Sequence, residues 1–280
     1  MHRIDGPGAT VDNLFTEGDP VGGVPATVVT DDWLNDVQEN IMAVIAAGGI
    51  TPTKGRAADL LDSLKGRLIG IQKLTANGTY IPTPGMKNVY VKYVGGGGGS
   101  GSVPATAATQ TAAAGGGASG SYGEAWLTAA QIGASQAVLV GAGGAAGPIG
   151  GAGGTGGTSS MGVLLTAPGG GGSPAGTVVS STSSGLASGG ASGPVTVGGN
   201  VLNTSGQQGN IGFALNSQTL GGSGGSNPIG SGGIAGGAST APTAGTGYGG
   251  GAGGVSSGLS SAAKAGVVGS PGAFFYFEYS

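Results

Sequence analysis

Asn88-Val89-Tyr90-Val91-Lys92-Tyr93-Val94 runs directly into Gly95-Gly96-Gly97-Gly98-Gly99. All but two of the first seven residues are β-branched or aromatic and the run alternates, which is a strand signal; the glycines then stop it. A counterpart closes the chain, Ala273-Phe274-Phe275-Tyr276-Phe277-Glu278-Tyr279, after Ser270-Pro271-Gly272. Five of the ten aromatics beyond residue 92 lie in that last segment. Two such segments bracketing a glycine body predict neighbouring strands that close one domain, with Lys92 and Glu278 as a cross-strand pair.

Outward from these strands the composition divides the chain. Of 280 residues 69 are glycine, against an ordinary share of roughly 7%. Glycine is sparse up to residue 92, with 12, and dense after it, with 57. Charge runs the other way: 18 of the 21 charged residues precede residue 93, leaving Glu124, Lys264 and Glu278. A net charge of −3 gives no electrostatic handle for nucleic acid or for insertion among acidic lipids. The absence of cysteine excludes a disulfide framework, a thiolate zinc site and a cysteine nucleophile. No stretch approaches the roughly 18 apolar residues of a membrane span, and Met1-His2-Arg3-Ile4-Asp5 leads into no signal-peptide core, so synthesis in the cytoplasm is expected.

Upstream of the strands, Thr30 followed by Asp31 and Asp32 reads as an N-cap with carboxylates favoured by the helix dipole. A helix is predicted over Asp31–Ala47, with Leu34, Val37, Ile41 and Val44 stepping by 3, 4 and 3 and Gly48-Gly49 ending it. A second is predicted from Arg56 to about Lys73, with Ala57, Leu61, Leu64, Leu68 and Ile71 on the same rhythm. Two readings stay open: a helical hairpin folded on itself, or parallel self-association through these seams, since so small a segment buries little apolar area alone. Before Asp31, Pro7, Pro20 and Pro25 among several glycines predict an extended arm that gains order on a partner.

The glycine body has a register. Gly141, Gly144, Gly147, Gly150, Gly153 and Gly156 form six unbroken Gly-X-Y triplets, and Gly221, Gly224, Gly230, Gly233 and Gly236 hold a second register interrupted at Asn227. Period three belongs to the extended left-handed helix, which has no internal hydrogen bonds; eighteen residues of it would span about 56 Å. Collagen would need far more proline, so polyglycine helices bonded to one another through bare backbone fit better. A flexible linker is the rival reading. Recurrent apolar runs such as Ala137–Val140, Gly162–Leu165 and Ile211–Leu215, with Asn, Pro and Gly at the joins, favour order.

Catalytic constellations are missing. Gly-x-Gly-x-x-Gly matches arise by chance in this composition, and no Gly-Lys pair supplies a phosphate loop. His2 is the sole histidine, so a serine nucleophile has no evident base. Asp31 and Asp32 read as helix-capping acids, and Glu124, beside Tyr122 and Trp126, reads as part of a short helical or turn element anchored by the aromatics. The expectation is no enzyme, no metal and no cofactor.

Two sets of residues resemble a known family. Phe15-Thr16-Glu17-Gly18-Asp19-Pro20, then Val24-Pro25-Ala26-Thr27-Val28-Val29-Thr30-Asp31-Asp32-Trp33-Leu34-Asn35-Asp36-Val37-Gln38-Glu39-Asn40-Ile41, is similar to the N-terminal segment of tail-fibre proteins of tailed bacteriophages. Gly78-Thr79-Tyr80, Pro84-Gly85, Val89 to Gly99, Tyr122 to Leu127, Val140 to Gly144, Gly157 to Gly162 and Ser270 to Ala273 resemble the glycine-rich C-terminal domain of phage receptor-binding proteins. Together they cover most of the chain apart from about Thr177–Tyr248. Met161 departs from the pattern where an aromatic is expected.

The resemblance implies a homotrimeric virion fibre: an arm at 1–30 docked on tail or baseplate proteins, a helical stem at 31–76, and a distal body at 77–280 that adheres to a lipopolysaccharide glycan, a pilus or an outer-membrane protein. The fold expected is mainly β and irregular, with an extended arm, a short α-helical stem that the resemblance makes a trimeric coiled coil, and polyglycine-II-like segments between short strands. Trimerisation falls to Leu34, Val37, Ile41, Val44, Leu61, Leu64 and Leu68. Receptor contacts fall to the amide-bearing stretch outside the resemblance, Asn203, Gln207, Gln208, Asn210, Asn216 and Gln218, with Tyr248; the same amides could instead cap turns. The rival class is a glycine-rich structural protein of fibre, ice-binding or cell-wall type, which would need no docking arm.

Overall fold

The computed structural model describes residues 2–64, 66–237 and 240–280. It divides into two units, one reaching Arg67 and including Ser280, the other Leu68–Tyr279. Regular structure is mainly β, with few helical residues.

In the first unit the helix Asp31–Ala47 forms where expected, its N-cap Thr30 accepting a hydrogen bond from the Trp33 N–H at 3.4 Å and Gly48 closing it. The arm before it is irregular but not extended. It folds back on itself through Val28 N–H to the Pro7 carbonyl at 2.8 Å and the Thr27 hydroxyl to the Gly8 carbonyl at 2.9 Å. Phe15 meets Trp33 edge to face at 5.1 Å, and Ile4 is fully buried, so the arm covers apolar surface that an isolated helix would expose. The second expected helix is cut to Asp59–Ser63. Lys65 lies outside the described residues, Gly66 takes a φ of +76°, and Leu68–Leu74 is a strand of the second unit. The spacing of Leu61, Leu64, Leu68 and Ile71 fits a helix, but pairing of Leu68–Leu74 with the aromatic C-terminal strand overrides it.

The second unit is organised by a five-stranded antiparallel sheet. Its order is Leu68–Leu74, Ala273–Tyr279, Asn88–Val94, Tyr122–Thr128, Leu202–Asn203. The two segments that bracket the glycine body are direct neighbours, as expected, with Val91 opposite Tyr276. The register corrects the charge pairing: Glu278 lies opposite Val89, and Lys92 lies between Phe275 and Glu124. Glu124 sits in mid-strand, not in a helix or turn, because Tyr122, Glu124 and Trp126 alternate with Gly123, Ala125 and Leu127.

Alternation sends Val89, Val91, Tyr93, Ala125, Leu127, Phe274 and Tyr276 to one face. They pack with Tyr80, Val138, Met161 and Leu165 from a second sheet of Gly78–Tyr80, Gln136–Leu139, Ser159–Met161 and Leu165–Ala167. Met161 is fully buried there, its flexible thioether filling the place where an aromatic was expected. Glu278 is buried on the same face, and among the described residues it forms no ion pair. It accepts from the Tyr80 hydroxyl at 2.7 Å, the Thr83 N–H at 3.0 Å and Gln72 Nε2 at 3.1 Å, and from the Thr83 hydroxyl.

The glycine body is held by backbone. Segment 95–103 carries no strand or helix, yet its N–H groups rotate among three neighbours: residues 121 and 118, then 157, 154 and 151, then 270, 267 and 264; Gly101 alone departs, donating to Ser173 Oγ at 2.8 Å, which in turn donates to the Gly115 carbonyl. Its carbonyls accept from three others, through Gly144 and Gly147, through Gly170, Ser173 and Gly176, and through Ala252. Segment 114–121 repeats the pattern, donating to 249–255, to Gln207 and Asn210, and to Pro168 and Gly171. A Cβ on Gly98 would fall inside the carbonyl oxygen of Gly171, so this spacing requires glycine. The run of six triplets is not one rod. It reverses at Pro148–Gly151, where Gly150 takes a φ of +81°, and its halves pair through Gly154 N–H to the Ala145 carbonyl at 2.8 Å and Gly157 N–H to that of Ala142 at 2.7 Å. Folding back supplies the partners that a lone extended helix lacks.

Candidate functional site

The amides of the unmatched stretch divide between framework and surface. Asn203, in the short strand Leu202–Asn203, closes its own loop: its Oδ1 accepts from the Thr196 hydroxyl at 2.9 Å and the Gly199 N–H at 3.2 Å, while Nδ2 donates to the Gly199 carbonyl at 2.5 Å. Gln207 is tied to the central segment by its N–H to Ser119 Oγ at 2.8 Å, and its Oε1 accepts from the Ser226 N–H at 2.8 Å. Asn210 accepts on its backbone carbonyl from Gly116 N–H at 3.0 Å, and its side-chain Nδ2 donates to Ser223 Oγ. Asn216 turns a hairpin at a φ of +42°, with Gln218 exposed on the strand that leaves it; Gln208 is exposed. Tyr248 meets the amides through its backbone only, its carbonyl accepting from Asn227 Nδ2 at 2.9 Å. It packs edge-on to Phe275 at 5.6 Å, with Lys73 Nζ 5.9 Å from its ring centre.

The outer face of the five-stranded sheet carries an aromatic row that the sequence reading passed over. Ile71, Phe277, Tyr90 and Trp126 stand directly opposite one another on consecutive strands. Tyr90 lies 5.7 Å from Trp126 and 6.3 Å from Phe277, and Tyr279 lies 5.2 Å from Trp126. The indole is 41% exposed, which makes this a solvent-facing ladder and not core. The signal was present in the alternation of Tyr122, Glu124 and Trp126 beside Asn88–Val94. Asn200 supports the edge: its Oδ1 accepts from Trp126 N–H at 2.7 Å and its Nδ2 donates to the Trp126 carbonyl at 2.8 Å.

Beside the row, Glu124 accepts from the hydroxyls of Tyr90 and Tyr122. Burial alone would raise its pKa, but these two bonds and the opposite Lys92 hold it below the usual carboxylate range. Burial and the bond to Glu124 push the Tyr90 phenol up to about 12 and the Tyr122 phenol higher still, so both stay protonated donors at neutral pH. Glu124 is thus a locked anion within a hydrogen-bonded triad, without a histidine or second carboxylate to share a proton.

The seam residues sit in different elements. Leu34, Ile41 and Val44 are exposed along the helix Asp31–Ala47, and Val37 is half-buried; Ile45 is the residue of that helix turned inward. Leu61 lies in the short helix and Leu64 just after it, both exposed. Leu68 belongs to the second unit's edge strand and so cannot continue a helical seam. Among the described residues no helix is long and apolar enough to cross a membrane.

Residues 74–276 match the model of a family described as a glycine-rich domain. The chain is also 40% identical over 75 residues to a protein of Escherichia coli strain K12 described as uncharacterized protein StfP. That alignment covers 25% of this chain and 36% of the relative, so the chain spans about a third of the length of the relative it matches.

Proposed function

The chain belongs to the glycine-rich domain family, and from that premise we propose that it is a tail-fibre protein of a bacteriophage, which attaches the virion to the bacterial surface through its glycine-rich body and catalyses no reaction. The resemblance of residues 15–41 to tail-fibre N-termini supports a docking role for the first unit, and the local match to StfP is consistent with a modular chain.

The observation that carries the reading is the period-three rotation of backbone hydrogen bonds around segments 95–103 and 114–121. We read these segments as polyglycine-II helices in a packed bundle. A bundle joined by backbone leaves side chains at its rim free to vary without disturbing the interior, which suits a tip that meets changing receptors. With so little charge, its contacts would be hydrogen bonds and apolar patches, reinforced by trivalency.

The stem assigns trimer contacts to Leu34, Ile41 and Val44, an apolar stripe exposed on the helix. The full chain is expected to sediment at three times its 25.9 kDa mass and to bind intact cells of a susceptible strain, blocking adsorption of phage carrying the same fibre. A monomer at micromolar concentration overturns the trimeric stem. Failure to label any strain in a broad bacterial panel overturns attachment and favours a purely structural material.

A further inference from the structure

A cavity of about 400 Å³ opens in the second unit among Pro242, Val255, Val267, Ala265, Thr240 and Lys264. Its size falls in the range of small-ligand sites, and its walls are apolar with few polar groups, as such sites are. The lysine is the unusual member. Beyond residue 92 the chain holds three charged residues, and the two carboxylates are both engaged by tyrosine hydroxyls at the five-stranded sheet. Lys264 is therefore the one cation in the glycine body, and among the described residues it forms no ion pair.

Packing gives no reason for a lysine at this position. The bridge between Lys264 and Val103 uses backbone atoms only, which any residue would supply. The side chain instead aims its ammonium with one bond, Nζ to the Ser256 carbonyl at 2.6 Å, and leaves two of its three donors for a partner. Thr240 is prepared in the same way. Its Oγ1 accepts from the Gly237 N–H at 2.7 Å, and among the described residues its own proton has no acceptor.

We propose that this cavity binds an acidic saccharide, the ring lying with its C–H face on Pro242 and Val267 and its carboxylate on Lys264. The inference rests on the attachment reading and names the chemistry that the body would recognise: a uronic-acid-type unit of a surface glycan. A carboxylate beside an apolar sugar face matches one fixed cation in an uncharged apolar hollow, and Thr240 supplies a hydroxyl contact. A neutral hexose leaves the ammonium without its partner, and acetate leaves the apolar walls empty.

The test titrates the full chain with glucuronate, glucose and acetate, read by ligand-observed NMR. Saturable binding of glucuronate is expected, with glucose and acetate each at least about tenfold weaker, the loss of one charge-assisted hydrogen bond or of the ring contacts. Lys264→Met should bring glucuronate down to the level of glucose, and Ala265→Trp, at an exposed position, should block the cavity while leaving the melting temperature unchanged. Glucuronate binding no better than glucose, or unaffected by both variants, overturns the proposal. Cell binding keeps the two readings apart: wild-type chain that labels cells but ignores glucuronate sinks the saccharide site alone, whereas wild-type chain that labels no cells sinks attachment and leaves the titration to decide the cavity.

Discussion

The aromatic sheet and the glycine body lie in one chain and are held by opposite means. In the sheet, register follows from side chains: Val89, Val91 and Tyr93 against Phe274 and Tyr276, with glycine scarce. In the body's central segments, 95–101 and 114–121, every residue is glycine, alanine or serine, and order comes from N–H groups that reach carbonyls in three directions. The difference shows that a core can be built from side-chain volume or from its removal, and that the two respond to mutation in opposite senses. Subtracting atoms harms the sheet, whereas adding them harms the body.

The sharpest way to break that comparison is the smallest addition. In Gly98→Ala the new methyl would overlap the carbonyl of Gly171 at the middle of segment 95–103, where backbone on all sides cannot yield. A loss above about 4 kcal/mol is expected, enough to prevent folding, measured by denaturant unfolding or by yield of soluble protein. The converse subtraction, Met161→Ala in the sheet core, should cost about 2–5 kcal/mol as a cavity. If Gly98→Ala proved milder than Met161→Ala, the body would not be held by close backbone approach.

The same contrast explains what could be read from the sequence. Asp31–Ala47 was legible from its cap and its 3-4-3 spacing, and the two bracketing strands from β-branched and aromatic alternation, because in each the signal is carried by side chains. The second helix was misread because Leu61, Leu64, Leu68 and Ile71 keep helical spacing while the partner that draws Leu68–Leu74 into a strand lies some 200 positions away in sequence. Glu124 reads as part of a short helical or turn element although its neighbours alternate, and the structure puts it in mid-strand. The fold-back at Pro148–Gly151 was hidden inside a perfect triplet register, since glycine serves a turn as readily as a rod. Neighbour choice in the body was illegible in principle, for Gly98 and Gly117 present the same atoms. Of the candidate contacts, the amides were visible, but their division into loop closure at Asn203 and free surface at Gln208 depended on tertiary partners.

Glu278 tests whether the sheet core tolerates charge only because it is fully bonded. Burial alone would raise its pKa, but the bonds from Thr83, Tyr80 and Gln72 outweigh burial and hold it below the ordinary carboxylate value. A carboxylate with a lowered folded pKa stabilises the protein fully above its unfolded pKa, about 4.3, and that stability is lost as pH falls through the folded value. Glu278→Gln places an NH₂ group against donors and should cost about 2–3 kcal/mol at neutral pH. It should also flatten the stability profile below pH about 4.3 relative to wild type. Thermal melts of both proteins across that window decide it; parallel acid limbs would mean that Glu278 is not the group whose protonation weakens the sheet.

The smallest effect lies where the two regimes meet. The strand Leu202–Asn203 pairs only with Gly123 and Glu124, and beyond it the Asn200 side chain takes over the ladder, bonding both the N–H and the carbonyl of Trp126 as a neighbouring strand would. Here a side-chain amide does what backbone does in the body, at an edge that water reaches. Asn200→Ala should therefore cost only about 1 kcal/mol, since solvent replaces the lost partners. The local consequence should exceed the global one: amide hydrogen exchange at Trp126 is expected to accelerate by about tenfold or more while that of Val91, one strand inward, stays unchanged. Acceleration at both positions together would show that Asn200 holds the whole sheet and that the edge does not open by itself.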